Sequence, residues 1–241
     1  MPEHSGAAAS PHMPGAAPVT GGARSVAVIL VGLATFSVLF VVIDQLYVGF
    51  VDAHFPPVGT SAALATLYGL VSRLHLIVPL TVVALWRPRE LGFQVGRIRE
   101  HRRLLTVFLL ANCGIVGGYL LLAGPTPYGG TEWLVTEVVT VPLVEETAWR
   151  GLVFAALLAA LRRSGPEARA VTISVWASGI AFGLAHAANA LVGLPVEFVA
   201  VQVLNAAVWG VVYGYARAVS DSIYPPIALH AAMNLVVVLL S

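Results

Sequence analysis

Two glutamates and one arginine stand together in a strongly apolar stretch of the sequence, VPLVEETAWRGLVF. Glu145, Glu146 and Arg150 lie within a helical pattern that runs from about residue 132 to 161. A charge in hydrocarbon costs roughly 2.5 to 3.5 kcal/mol on insertion scales, so three ionisable groups here need a partner or a task. Glu146 and Arg150 are four residues apart and can pair on one helix face. Glu145 points in another direction and is left free for chemistry.

Two later apolar segments also carry polar side chains at helical spacing. Phe182 and His186 are four residues apart in the first, and His230 and Asn234 are four apart in the second. Residues at this spacing share a helix face, and ionisable groups within a membrane usually face the interior of a helix bundle. We therefore expect the three sets to meet there. Taken singly, His186 or the His230–Asn234 pair could instead be polar contacts between helices.

Hydrolysis by an activated water is the simplest chemistry for this set of residues. A carboxylate beside a neutral imidazole can hold and deprotonate a water molecule. An imidazole or a carboxamide on the opposite side can donate to a developing oxyanion. A metal site is the alternative, because Glu145, His186 and His230 would give zinc two histidines, one carboxylate and an open position. The sequence has no His-Glu-x-x-His motif to support it.

The composition is that of a multi-pass membrane protein. Of the 241 residues, 58% are hydrophobic and 10% are charged, whereas soluble domains carry about 25% charged residues. The formal net charge of +1 creates no field that would attract nucleic acid. A single cysteine, Cys113, excludes an intramolecular disulfide and a thiolate metal cluster.

The elements that must position the polar residues are membrane helices. A spanning helix needs about 20 apolar residues, and the sequence predicts an all-α bundle of about seven spans. They are residues 26–51, 61–86, 103–123, 132–161, 171–193, 196–219 and 223–240. Residues 1–25 are rich in Ala, Pro and Gly and predict a disordered tail, so that residues 26–241 form the helical domain.

The distribution of arginine predicts the orientation of the chain. Arginines cluster in the loops after the second and fourth spans, whereas residues 52–60, 124–131 and 194–195 contain none. Arginine-rich loops stay in the cytoplasm. Seven spans therefore give a protein of the cell membrane with a cytoplasmic N-terminus and an external C-terminus.

The depth of the polar residues imposes a further condition. At about 1.5 Å per residue, Glu145 lies roughly 25 Å from the cytoplasmic end of its span, but His230 lies only roughly 14 Å from the end of its own. For the two side chains to meet, the last span has to begin deeper, or the fourth and fifth spans have to project into the cytosol.

The three motifs together resemble a known family, the CPBP family of intramembrane endopeptidases. This family includes the type II CAAX prenyl endopeptidases and the Abi-type immunity proteins. The motifs follow one another on separate predicted spans: Glu145-Glu146-x-x-x-Arg150, Phe182-x-x-x-His186 and His230-x-x-x-Asn234. The run Arg89-Glu90-Leu91-Gly92-Phe93 is similar to a further segment of the family. The resemblance covers about residues 70–240.

The resemblance implies an endopeptidase that cleaves a membrane-embedded or membrane-associated protein or peptide. Glu145 and His186 would activate the water, and His230 and Asn234 would serve the oxyanion. The supporting residues would be Glu146, Arg150 and Phe182. A glutamic type of mechanism without a cofactor is favoured over a zinc-dependent one. The resemblance does not define the substrate.

Two other functions are compatible with the sequence. One is a non-catalytic immunity or partner-binding protein of the same fold. The other is a proton-coupled transporter, because buried Glu and His also build proton relays. The hydropathy shows no internal repeat of the kind that many transporters have, and the intact motif set favours the peptidase.

Overall fold

The computed structural model describes residues 20–55, 61–126, 130–163 and 165–241. Over these ranges the chain forms α-helices joined by short 3₁₀ and π segments, with no β-strand. The α-helices are α1 (Thr20–His54), α2 (Ala62–Val71), α3 (Leu74–Trp86), α4 (Arg102–Ala123), α5 (Val141–Glu146), α6 (Phe154–Arg162), α7 (Glu167–Ala185), α8 (Val196–Ser220) and α9 (Tyr224–Leu240). The predicted all-α class is confirmed.

Several of these helices are long and apolar enough to cross a membrane. Among the described residues there are four of them: Ala27–His54 within α1, α4, Glu167–Ala190 and α8. The pair α2 and α3 would make a fifth span, bent by 66°. Helix α9 has 17 residues, and the predicted fourth span is divided into short pieces, so the count of seven stays a prediction. The chain is a multi-pass membrane protein.

The N-terminal boundary differs from the predicted one. Helix α1 begins at Thr20, so residues 20–25 of the predicted tail are helical. Residues 1–19 of that tail lie outside the described residues.

The segment that carries the two glutamates is helical throughout but alternates between α-helical and π-helical hydrogen bonding. Helix α5 lies between two π-helical segments, Thr136–Thr140 and Thr147–Val153. Pro142 in the first turn of α5 has no N–H and cannot continue an α-helical bond ladder from the preceding residues. Short π segments within helices frequently mark functional sites. Here they lie directly before and after the turn that presents Glu145 and Glu146.

Helices α7 and α8 pack closely along glycines. A Cβ on Gly183 would lie 2.7 Å from the backbone nitrogen of Ala207, and one on Gly179 would lie 2.6 Å from that of Val211. Such distances are too short for any side chain, so glycine is required at both positions. Close approach of helices through small residues is common in membrane bundles. It brings the C-terminal end of α7, where His186 stands, against α8.

Most of the connection between α8 and α9 is buried, although Asp221 is exposed. Ser220, Ser222 and Ile223 have no exposed surface, because the loop of residues 87–101 covers them. Within that loop Gly92 has a φ of +87°, and its carbonyl accepts a hydrogen bond of 2.9 Å from the Ile223 N–H. The start of α9 is thus tied to the loop of residues 87–101.

Candidate active site

A buried cluster of three charged or polar side chains joins the glutamate segment to α9. Arg150 Nη1 donates to Glu146 Oε1 at 3.1 Å, and His230 Nδ1 lies 2.9 Å from the same oxygen. Glu146 and Arg150 have no exposed surface, and His230 is also buried. Because a carboxylate oxygen only accepts, Nδ1 of His230 is the donor. Arg150 Nη2 donates to the Gly210 carbonyl at 3.0 Å, which ties the cluster to α8.

Aromatic rings enclose this cluster. The Arg150 guanidinium lies 4.3 Å from the centroid of the Phe182 ring and 5.5 Å from that of Tyr213. The His230 ring stacks on Tyr213 at 5.7 Å and meets the edge of Phe182 at 6.0 Å. A desolvated cation over an aromatic face is stabilised by about 2 kcal/mol. Phe182 therefore contacts both the guanidinium and the imidazole of the cluster.

Glu145 faces a cavity instead of the cluster. Its side chain is 26% exposed, and Oε2 lies 4.0 Å from Nε2 of His230. Oε2 has no hydrogen-bond partner among the described residues. His230 consequently stands between the two carboxylates, with Nδ1 on Glu146 and Nε2 towards Glu145.

His186 is held by its own helix at the end of α7. Its Nδ1 lies 2.9 Å from the carbonyl oxygen of Phe182, and its ring meets that of Phe182 at 4.8 Å. Since a carbonyl only accepts, Nδ1 is the donor. His186 and Glu145 line the same cavity, but no hydrogen bond joins them in the described part of the chain.

Asn234 ties α9 to the first π segment. Its Nδ2 donates to the backbone carbonyl of Glu137 at 2.8 Å. The carboxamide has a second N–H, and the side chain lines the cavity.

The cavity has a volume of about 670 Å³ and unites the four predicted catalytic residues. Glu145, His186, His230 and Asn234 all lie on its wall, as does Phe182. Glu146 and Arg150 are absent from the wall and lie behind it. The remaining wall comes largely from α1, the bend between α2 and α3, α4 and α8. A mainly apolar cavity of this size with a few convergent polar groups is typical of a small-ligand or peptide site.

Some residues at the site are not part of the sequence motifs. Glu137 lines the cavity and interacts electrostatically with Glu145 and His230; the rule that selected Glu145, an ionisable group in a predicted span, applies equally to it. Tyr213 is fully buried against His230, and its hydroxyl accepts a 2.8 Å hydrogen bond from Asn112. A tyrosine and an asparagine in apolar helices carry no signal that would have singled them out.

The donors proposed for zinc do not form a metal-binding group. Within the described ranges, no three His, Cys, Asp or Glu side chains are grouped closely enough to hold a metal ion. In this arrangement the described side chains are too far apart to hold a metal ion together.

The fold defines a multi-pass membrane protein with a cavity lined by polar groups among its apolar helices. Residues 129–236 match the family model of the type II CAAX prenyl endopeptidases, Rce1-like. Over this segment the chain is similar to the family that its motifs resemble, and this similarity supports a CAAX-type intramembrane protease at the family level. All seven predicted site residues fall within the matched segment. Comparison with curated proteins and with solved structures gave no match.

Proposed function

We propose that the chain hydrolyses a peptide bond of a membrane-associated protein or peptide, with Glu145 as the general base. The observation that carries this proposal is the difference between the two neighbouring carboxylates. Glu146 is fully buried and engaged by Arg150 and His230. Glu145 instead lines the cavity, and its side chain is 26% exposed.

Glu145 and His230 approach each other at the wall of the cavity. A separation of 4.0 Å between Oε2 and Nε2 is too long for a direct hydrogen bond. Oε2 is enclosed by protein, so we place the reacting water against the part of the Glu145 side chain that is exposed to the cavity. His186 lines the same cavity and is proposed as the second contact of this water.

The proposed reaction is direct attack by this water. Glu145 takes one proton, and the hydroxide forms a bond to the carbonyl carbon of the scissile peptide. The resulting oxyanion accepts hydrogen bonds from the second N–H of Asn234 and from His230, which needs a proton on Nε2 for this role. The intermediate then collapses, the carbon–nitrogen bond breaks, and the proton held by Glu145 passes to the leaving amine. The reaction consumes one water for each peptide bond that is cleaved.

The test is cleavage of a fluorogenic lipidated CAAX-type peptide by purified protein. Glu145→Gln keeps the size of the side chain and loses its basicity, so the rate should fall by about two to four decades while the protein stays folded. His186→Ala should act likewise, and the double variant should be little worse than either single one, because both groups act on one water. Glu197→Gln, an exposed residue of α8 outside the cavity, is the matched control.

Two outcomes would change the assignment. Cleavage by Glu145→Gln at a nearly normal rate would reject Glu145 as the base and make Glu146 the next candidate. Loss of wild-type activity on addition of a chelator, with recovery on addition of zinc, would support the metal-dependent alternative. We expect activity to persist in the chelator.

A further inference from the structure

Arg73 is a charged group of the cavity that the proposed reaction does not use. It stands at the 66° bend between α2 and α3, directly before Leu74. Its side chain is partly buried and lines the same cavity as Glu145. An arginine within the membrane-spanning part of a protein normally has a counter-charge, a partner or a ligand.

The partners that the structure gives to Arg73 leave most of its guanidinium free. Nη1 donates to the Gly69 carbonyl and to Ser72 Oγ, both at 3.4 Å, which is the long end of the hydrogen-bond range. Among the described residues, Nε and Nη2 have no hydrogen bond, and no carboxylate oxygen lies within 4.0 Å of the guanidinium. Nε and Nη2 form one edge of the guanidinium fork, the edge that binds a carboxylate with two parallel hydrogen bonds.

The surroundings of Arg73 contribute both positive and negative electrostatic potential. Arg73 caps the 13-residue helix α3 without a side-chain capping bond, so the unpaired N–H groups of the first turn add positive potential. Glu137 lies within electrostatic range of both Arg73 and Glu145. Arg73 and the proposed base thus belong to one charged region of the cavity.

We propose that Arg73 binds the C-terminal carboxylate of the peptide that Glu145 cleaves. This inference rests on the proposed function. A terminal carboxylate matches the free edge of Arg73 in charge and geometry, and its binding would hold the last residues of a membrane-anchored peptide beside Glu145. The cavity, at about 670 Å³, has room for a short peptide segment.

The experiment measures binding separately from cleavage. A farnesylated tetrapeptide with a dansyl group at its N-terminus is made with either a free carboxylate or an amide at its C-terminus. Binding to the full-length Glu145→Gln protein in detergent micelles is followed by energy transfer from Trp149 and Trp209, which line the cavity. Peptide integrity in the same samples reports separately whether Glu145→Gln has abolished cleavage.

The expected result is a carboxylate preference that depends on Arg73. The affinity of the carboxylate peptide should exceed that of the amide by at least about tenfold. This is the usual effect of hydrogen bonds to a charged group. Adding Arg73→Gln should bring the ratio near one, and Arg73→Lys should restore part of it. Arg103→Gln, an exposed arginine of α4 outside the cavity, should leave the ratio unchanged.

Three results would overturn the proposal. They are equal affinities in the Glu145→Gln protein, a ratio that survives Arg73→Gln, and failure of both peptides to bind. Phosphatidylglycerol added to the micelles tests a lipid headgroup as the other source of an anion. It should not displace the carboxylate peptide, and Arg73-dependent displacement would assign the guanidinium to a phosphate instead.

Discussion

His230 and Arg150 bind the same oxygen of Glu146. The distances to Oε1 are 2.9 Å from His230 Nδ1 and 3.1 Å from Arg150 Nη1. Because His230 belongs to α9 and Arg150 also binds the Gly210 carbonyl of α8, this one oxygen connects three parts of the bundle. Glu146 therefore holds the wall of the cavity together from behind, while Glu145 presents the carboxylate that faces the cavity.

Replacing Arg150 should lower the stability of the protein together with its activity. Arg150→Ala leaves Glu146 buried without its cation, and removing one partner of a buried pair typically costs about 3–5 kcal/mol. Arg150→Lys keeps the charge but cannot reach Glu146 and Gly210 with two separate nitrogens, so a smaller loss is expected. Thermal unfolding in detergent measures both, with Arg103→Ala as the exposed control. A fully stable and inactive Arg150→Ala protein would instead give Arg150 a direct role in the chemistry.

Glu146 and His230 should be energetically coupled. Glu146→Ala and His230→Ala each remove one end of the 2.9 Å contact. A double-mutant cycle on unfolding should therefore show an interaction energy of about 0.5–3 kcal/mol. The control cycle pairs Glu146→Ala with the exposed Glu197→Ala, whose effects should add. Additive effects in the first cycle would show that the contact contributes nothing to stability.

The close packing of α7 on α8 should make Gly183 intolerant of even one methyl group. A Cβ at this position would lie 2.5 Å from that of Ala207, and overpacking of this kind costs about 1–3 kcal/mol. Because His186 lies three residues further along the chain, cleavage should slow as well. The matched control is Gly114→Ala in α4, where nothing lies within 4 Å and helix propensity predicts a gain of up to about 1 kcal/mol. Equal stability of the two variants would contradict this account.

The orientation of the chain can be checked with reporter fusions. Fusions at residues 95 and 165, in the arginine-rich loops, should report the cytoplasm. Fusions at residues 57 and 127, which lie outside the described residues, should report the external side. A signal from the external side at residue 95 would reverse the predicted topology.

The parts of the site that depend on neighbours in sequence were predictable. A spacing of four residues places two side chains on one helix face, and the Glu146–Arg150 pair forms as this rule predicts. The same rule put Glu145 on a different face, and Glu145 does point to the cavity. Intramembrane ionisable groups were expected in the bundle interior, and His186 and His230 line that cavity too.

The parts that depend on distant contacts were not predictable. His230 reaches Glu146 across 84 positions of sequence, and no local pattern reports such a pairing. The sequence-based roles separated His230 from the glutamates, whereas the structure places it between them. The two π segments and the bend at Arg73 follow from how the helices pack, since the apolar pattern continues through both. Pro142 was the one local sign that the winding changes.

The burial of the α8–α9 connection beneath Gly92 has a consequence for biosynthesis. The ribosome makes loop 87–101 long before Ile223, whose N–H closes the contact with Gly92. Until α9 has followed α8 into the membrane, Glu146 has no imidazole partner and the cavity lacks its His230 and Asn234 wall. Under the proposed function, the site is therefore completed only when the last helix has been inserted.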